Sequence, residues 1–164
     1  MKVFVTVGSM LPFERLVRAA DHWAASHPEV KVIAQTGGGT FSPRAMAHQA
    51  MYTPEEYRRH CAEADLIVSH LGMGTVITAA EVGRPLVALP RRRELAEVTS
   101  DHQTATAAWL RMRPGVTVIE DEDQLAHAIE AAAHGAGPAG FGQEQCDRLI
   151  ACVRAFAHDA IQQR

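Results

Sequence analysis

Cysteine is scarce here and follows no pattern. Cys61, Cys146 and Cys152 are an odd set of 3 with no CxxC spacing, which excludes a disulfide scaffold or a cysteine zinc site and implies reduced thiols in a cytosolic setting. Long apolar runs are missing too. No stretch approaches the roughly 20 residues that a membrane-crossing helix needs. Met1-Lys2 leads straight into Val3-Phe4-Val5-Thr6-Val7, which is too short for a secretory signal and lacks a cleavage pattern. Charge of one sign is also lacking: the net charge is -3 and the pI about 6.3, so no basic field argues for nucleic acid as a partner. No clustered carboxylate pair suggests a bound divalent ion, and no metal site is expected. What the chain does have is 47% hydrophobic residues over 164 positions, enough for the core of one domain or of half a two-domain enzyme.

Strand and helix signals alternate along it. Lys2 to Val7 is a β-branched run ending at Gly8-Ser9, a first strand and turn. Pro12 to Ser26 carries Phe13, Leu16, Val17, Ala20, Trp23 and Ala24 at helical spacing, so that stripe is core. Val30 to Gln35 is a second strand, closed by Thr36-Gly37-Gly38-Gly39-Thr40, and Ala47 to Tyr52 is a weaker third. Thr53-Pro54-Glu55-Glu56 reads as a helix start, with a threonine cap, a proline in the first turn and carboxylates at the positive end of the dipole. That helix runs to about Ala64, with Cys61 as buried packing. Leu66 to Ser69 is a fourth strand, Val76 to Val82 a helix closed by Gly83, and Pro85 to Leu89 a fifth strand. A charged loop from Arg91 to Ser100 precedes a helix from Asp101 to Met112. Val116 to Ile119 is the sixth strand, and Asp121 to Ala133 a helix whose acidic start suits its dipole better than a metal site.

The alternation predicts an α/β, Rossmann-like parallel sheet of about six strands with helices on both faces. We expect one domain with its core in residues 2–133. A glycine-rich linker from His134 and an amphipathic helix over 143–160 follow, that helix either packing back or binding a partner.

The stretch that organises the rest is Ser69-His70-Leu71-Gly72-Met73-Gly74-Thr75, a glycine-rich turn between a strand and a helix. Glycines there leave the backbone open to close approach, and the first amides of a helix lack partners and carry positive potential. A phosphate suits such a place; a bare strand-to-helix turn is the other reading. Ligands in parallel sheets bind beyond the carboxyl ends of the strands, and Gly8-Ser9, Gly37 to Gly39, His70 to Thr75 and Arg91 to Gln103 all follow strand ends. They are expected to share one rim. A dinucleotide fold is disfavoured, because Gly8 is not followed by the G-x-x-G of that fingerprint.

The order Val5-Thr6-Val7-Gly8-Ser9, Gln35-Thr36-Gly37, Ser69 to Thr75, Gly83-Arg84-Pro85-Leu86 and Asp101-His102-Gln103 resembles the glycosyltransferase family 28 C-terminal domain over roughly residues 2–133. Within it, the sequence is similar to the soluble catalytic subunits of split glycosyltransferases, those of dolichol-linked glycan and of bacterial exopolysaccharide synthesis. The Pro90-Arg91-Arg92-Arg93 loop looks closer to the bacterial group. The resemblance implies the C-terminal half of a GT-B fold, with a UDP-sugar as donor substrate and no separate cofactor. Gly8, Ser9, Gly72, Met73, Gly74 and Thr75 would then border the diphosphate, Met51 and Tyr52 the uracil, and Asp101, His102 and Gln103 the donor sugar. His70 and His102 are the candidates for a catalytic base. The implied partners are a lipid-linked sugar acceptor and a membrane-anchored acceptor-binding subunit that holds the cytoplasmic chain at the inner face of the membrane. A non-enzymatic nucleotide-sugar-binding or regulatory module of the same fold is the alternative. One departure concerns the ribose: where related transferases often carry a carboxylate, five residues before Gly83, this chain has Thr78, and Glu81 stands nearer. Arg91 to Arg93 read either as a solvated loop or as contacts to an acidic sugar, lipid headgroups or the partner.

Overall fold

Side chains on neighbouring strand positions go to opposite faces, and along the central strand, β1 (Lys2–Thr6), both faces are dry: Val3 and Phe4 are 0% exposed and Val5 1%. A strand covered on both sides reads as a continuous apolar run and belongs inside a parallel sheet. The computed structural model, which describes residues 1–97, 107–108 and 110–134, shows that sheet. Its other strands are β2 (Lys31–Gln35), β3 (Ala47–Gln49), β4 (Leu66–His70), β5 (Leu86–Leu89) and β6 (Val116–Val118), all parallel in the order β3-β2-β1-β4-β5-β6. Phe4 pairs with Ile67 and Val5 with Val68 across the centre, where the order reverses.

The two faces have separate cores. On one, Phe13 and the helix α1 (Glu14–Ser26), through Leu16, Val17 and Ala20, join the helix α4 (Leu125–His134), through Leu125, Ala128 and Ile129, over Val3, Val5, Val68 and Val87. On the other, Cys61 of α2 (Pro54–Glu63) and Val76, Ala79 and Ala80 of α3 (Met73–Val82) cover Phe4, Ile67, Leu86 and Ala88. Truncating a side chain as enclosed as Leu16 would cost about 2–5 kcal/mol.

Local chemistry sets the helix ends. The Thr53 hydroxyl accepts from the Glu56 amide at 3.2 Å and Glu56 accepts in return from the Thr53 amide at 2.9 Å, a reciprocal cap worth about 1 kcal/mol. The bonds that its carboxylate accepts from the Thr53 amide and hydroxyl hold the Glu56 carboxyl below its ordinary range. Gly83, at φ 65°, ends α3 in the left-handed region. Glu14 anchors the loop after β2, accepting from the Thr40 amide (2.6 Å), the Thr40 hydroxyl (2.7 Å) and the Phe41 amide (3.2 Å).

Three expectations need adjusting. The third strand is only Ala47–Gln49 and wholly exposed; as an edge with a partner on one side it needs no apolar run, and Met51 and Tyr52 lie beyond it. Helix α3 begins at Met73, not Val76, so Gly74 and Thr75 sit in its first turn. Tertiary packing overrides the low helix propensity of glycine there. The charged loop after β5 contains a 3-10 turn at Arg93–Leu95. Ala107, Ala108 and Leu110 are helical, as expected, while the rest of 98–106, the glycine-rich linker and the 143–160 helix lie outside the described residues. Among the described residues, no helix is long and apolar enough to cross a membrane.

Candidate functional site

Four strand ends open onto one cleft of about 700 Å³, within the usual size for a small-molecule site. Gly8, Ser9, Met10 and Leu11 line it after β1, Gln35 at the end of β2, His70 at the end of β4 and Arg91 after β5. Met51, Tyr52, Pro54 and Tyr57 form one wall, and Gly72, Met73, Gly74, Thr75 and Thr78 at the start of α3 form another. The described residues assigned to the donor site, Gly8, Ser9, Met51, Tyr52, His70, Gly72, Met73, Gly74 and Thr75, all line this one cleft, whereas Gly37 to Gly39, expected on the same rim, do not. Asp101, His102 and Gln103 lie outside the described residues.

The glycines do two different things. Helix α3 has Gly72 as its N-cap and no side-chain cap, so the Met73 and Gly74 amides have no partner among the described residues, while the Thr75 amide donates to the Gly72 carbonyl at 3.0 Å. A Cβ on Gly74 would meet no atom within 4 Å; its backbone faces open cleft. A Cβ on Gly72 would lie 2.1 Å from His70 Nε2, and one on Gly8 would lie 2.6 Å from His70 Cε1. These two positions are bare because an imidazole fills the space between them. Gly8 also has φ +77°, a second reason for glycine.

That slot controls the protonation of His70. Burial, then the nearby Arg91 charge, lowers its pKa to about 4, against the opposing hydrogen bond to the Thr6 backbone. The ring is neutral at pH 7. The Thr75 hydroxyl accepts from Tyr57 Oη at 3.0 Å, and Thr75 is only 4% exposed, so its side chain belongs to the wall.

Arg91 is not a solvated arginine. It is 7% exposed, and its guanidinium donates to the carbonyls of Val7 (2.9 Å), Leu11 (2.6 Å), Pro12 (2.7 Å) and Glu97 (3.1 Å). Burial pushes its pKa down. Beside it, Arg15 grips both oxygens of Glu97 at 2.9 Å, so the loop after β5 is tied to the start of α1. Arg92 donates to the Glu120 carbonyl (2.7 Å) and Asp121 (3.3 Å). Glu81 pairs with Arg58 at 2.8 Å and does not line the cleft. Thr78 does line it, with its hydroxyl turned back to the Gly74 carbonyl at 3.0 Å. No carboxylate lines the cleft among the described residues.

A sequence profile of the glycosyltransferase family 28 C-terminal domain matches residues 2–132. The chain belongs to this family. Comparison with curated proteins finds no match. Solved structures share the fold of this family 28 domain. The glycotransferase of kitacinnamycin superposes with a TM-score of 0.65 at 21% identity, covering 99% of this chain and 42% of that one. The spinosyn rhamnosyltransferase SpnG, complexed with thymidine diphosphate, gives 0.60 at 16% identity, covering 92% and 41%. ALG13 gives 0.59 at 14% identity, covering 91% of this chain and 96% of that one. The chain thus spans about two fifths of the length of the first two proteins and nearly all of the third.

The sequence assigns no site role to Gln35 or Tyr57, and to Arg91 only as part of a loop that is either solvated or in contact with an acidic sugar, lipid headgroups or the partner. The one signal for Gln35 is a polar residue closing an otherwise apolar strand at the ligand-facing edge. Nothing local marks Tyr57.

Proposed function

We propose that this chain is the donor-binding catalytic subunit of a split glycosyltransferase. It holds a UDP-sugar in the cleft and passes the sugar to a lipid-linked acceptor, working at the cytoplasmic face of a membrane with an anchored subunit that binds the acceptor. The observation that carries this is the convergence of the unpartnered amides of α3 and the Gly8-Ser9 turn on a cleft that no carboxylate lines among the described residues. Such a place favours a diphosphate. The near-complete mutual coverage with ALG13 supports a chain built of this domain as a working unit, and the thymidine diphosphate bound to SpnG supports a pyrimidine nucleotide.

Transfer breaks the bond between the sugar and the diphosphate, and negative charge grows on the departing UDP. The amides at Met73 and Gly74, fixed in the first turn of α3, would meet that charge without reorganisation. Met51 and Tyr52 border the uracil, with Tyr52 held against Phe4 and His60 at ring separations of 6.1 and 4.5 Å. The acceptor hydroxyl must lose a proton to a base. His70, neutral with a pKa near 4, is a weak proton acceptor and serves as a hydrogen-bonding wall of the diphosphate seat. The base is then His102 or a group of the partner, and Asp101 and Gln103 hold the donor sugar.

The test has two stages. UDP at a hundred times its dissociation constant stabilises the fold by about 2.7 kcal/mol, read as a rise in melting temperature that NAD does not produce. Sugar transfer then appears only when membranes carrying the partner are added. No response to any pyrimidine nucleoside diphosphate refutes the proposal; binding without turnover in the complete mixture points to a nucleotide-sugar-binding module.

A further inference from the structure

Gln35 is 3% exposed and stands at the end of β2, between the two walls of the cleft. Its Nε2 donates to the Gly8 carbonyl at 3.1 Å, and its Oε1 accepts from the Tyr52 amide at 3.1 Å. The first partner belongs to the turn assigned to the diphosphate, the second to the segment assigned to the base. A side chain at this place needs a donor and an acceptor side by side, and a carboxamide has both. Both ends of the same turn are held separately, by Arg91 on the Val7 and Leu11 carbonyls. The Gly8 peptide is thereby fixed from both flanks by side chains reaching it from β2 and from beyond β5.

We propose that Gln35 is a positioning residue: through its single carboxamide it sets the span between the diphosphate seat and the base seat, so that a nucleoside diphosphate engages both at once. This rests on the donor-site reading above. Joining two subsites makes the second contact intramolecular, and that advantage vanishes if the spacing is wrong. The residue contributes by holding Gly8 and Tyr52 in register for one ligand.

Gln35→Glu separates the two bonds. The introduced carboxylate still accepts from the Tyr52 amide, but its second oxygen faces the Gly8 carbonyl with no proton to share, and the turn is released. We follow uridine and UDP binding to the full chain by amide NMR titration. The expected result is that uridine affinity stays within about threefold, while the preference for UDP over uridine falls about tenfold or more, as for a buried acceptor left unsatisfied. Lowering the pH protonates the buried carboxyl, restores a donor toward Gly8, and recovers the preference relative to wild type at the same pH. An unchanged preference, or equal loss of both ligands with no recovery on acidification, overturns the assignment.

If wild type binds neither ligand, the donor-site reading has failed, and the bridge is read from the free protein. Gln35→Glu must then move the Ser9 amide resonance and leave the exchange protection of the Tyr52 amide within about threefold; an unmoved Ser9, or lost protection at Tyr52, refutes it. Should that variant not fold, Gln35→Met removes the acceptor from the Tyr52 amide, whose hydrogen exchange must accelerate about tenfold or more. Unchanged protection of Tyr52 is again fatal to the proposal.

Discussion

Gly72→Ala isolates the reason for a glycine at the start of α3. Gly72 has φ −96° and ψ 129°, an extended conformation open to any residue, so backbone strain contributes nothing. The added methyl would stand 2.1 Å from His70 Nε2, 2.6 Å from Cε1 and 3.0 Å from Cδ2, and the imidazole must retreat by about 1 Å or more to reach van der Waals contact. Its slot is closed on the other side by Gly8, so it moves toward solvent. Overpacking of this kind costs about 1–3 kcal/mol. The same movement undoes the burial that lowers the ring's pKa to about 4, and the midpoint climbs toward 6.5. The sign of the linked stability is fixed. Between pH 6.5 and 4 the unfolded ring binds a proton and the folded one does not, so the wild-type fold loses up to about 3 kcal/mol across that window from this residue as pH falls. In Gly72→Ala that slope flattens. Urea unfolding at several pH values and NMR titration of the His70 ring measure both effects. A variant as stable as wild type, with the His70 midpoint still near 4, would refute the reasoning.

Gly74→Ala is the counterpart: its methyl meets nothing within 4 Å, so stability holds or rises by up to about 1 kcal/mol. UDP affinity drops about tenfold as the methyl enters the space beside the amides; a wild-type UDP thermal shift in this variant would show that the diphosphate sits elsewhere. Arg91→Met leaves four carbonyls without their donor and costs about 3 kcal/mol, whereas Arg92→Met, at a side chain 34% exposed, costs less than about 1 kcal/mol. Equal losses in chemical denaturation would contradict the buried role of Arg91. Cys61 is 0% exposed and its thiol is pushed up to about 11 by burial, so mass-mapped alkylation at mildly alkaline pH spares it in the folded chain and labels it once unfolded. Rapid labelling under native conditions would count against that packing.

The sheet was legible because burial on both faces leaves a plain mark: apolar runs such as Leu66 to Val68 have no other use in a chain of this composition. The rim was legible because special loops followed each run, and parallel topology sends them to one edge. Local patterns faded where a residue's role depends on a distant neighbour. Arg91 to Arg93 look like one charged loop, yet the first arginine is enclosed by carbonyls of the turn that follows β1, a contact across some eighty positions that composition cannot announce. For Gly72 the sequence suggests access for a ligand, and for Gly8 the resemblance implies a diphosphate border; that each also clears room for an imidazole is invisible in it. The weak third strand shrank because an edge needs no hydrophobic alternation to be held.

The reversal of strand order between β1 and β4 has a kinetic corollary. The imidazole wedged between Gly8 and Gly72 exists as a seat only after segments far apart along the chain have zipped together at the middle of the sheet. Such non-local closure is among the slower events of folding, so a nascent or half-collapsed chain offers the nucleotide nothing to hold. If UDP binds as proposed, it would act as a brake on unravelling and not as a template for assembly, lengthening the lifetime of the finished molecule and leaving the rate of its formation untouched.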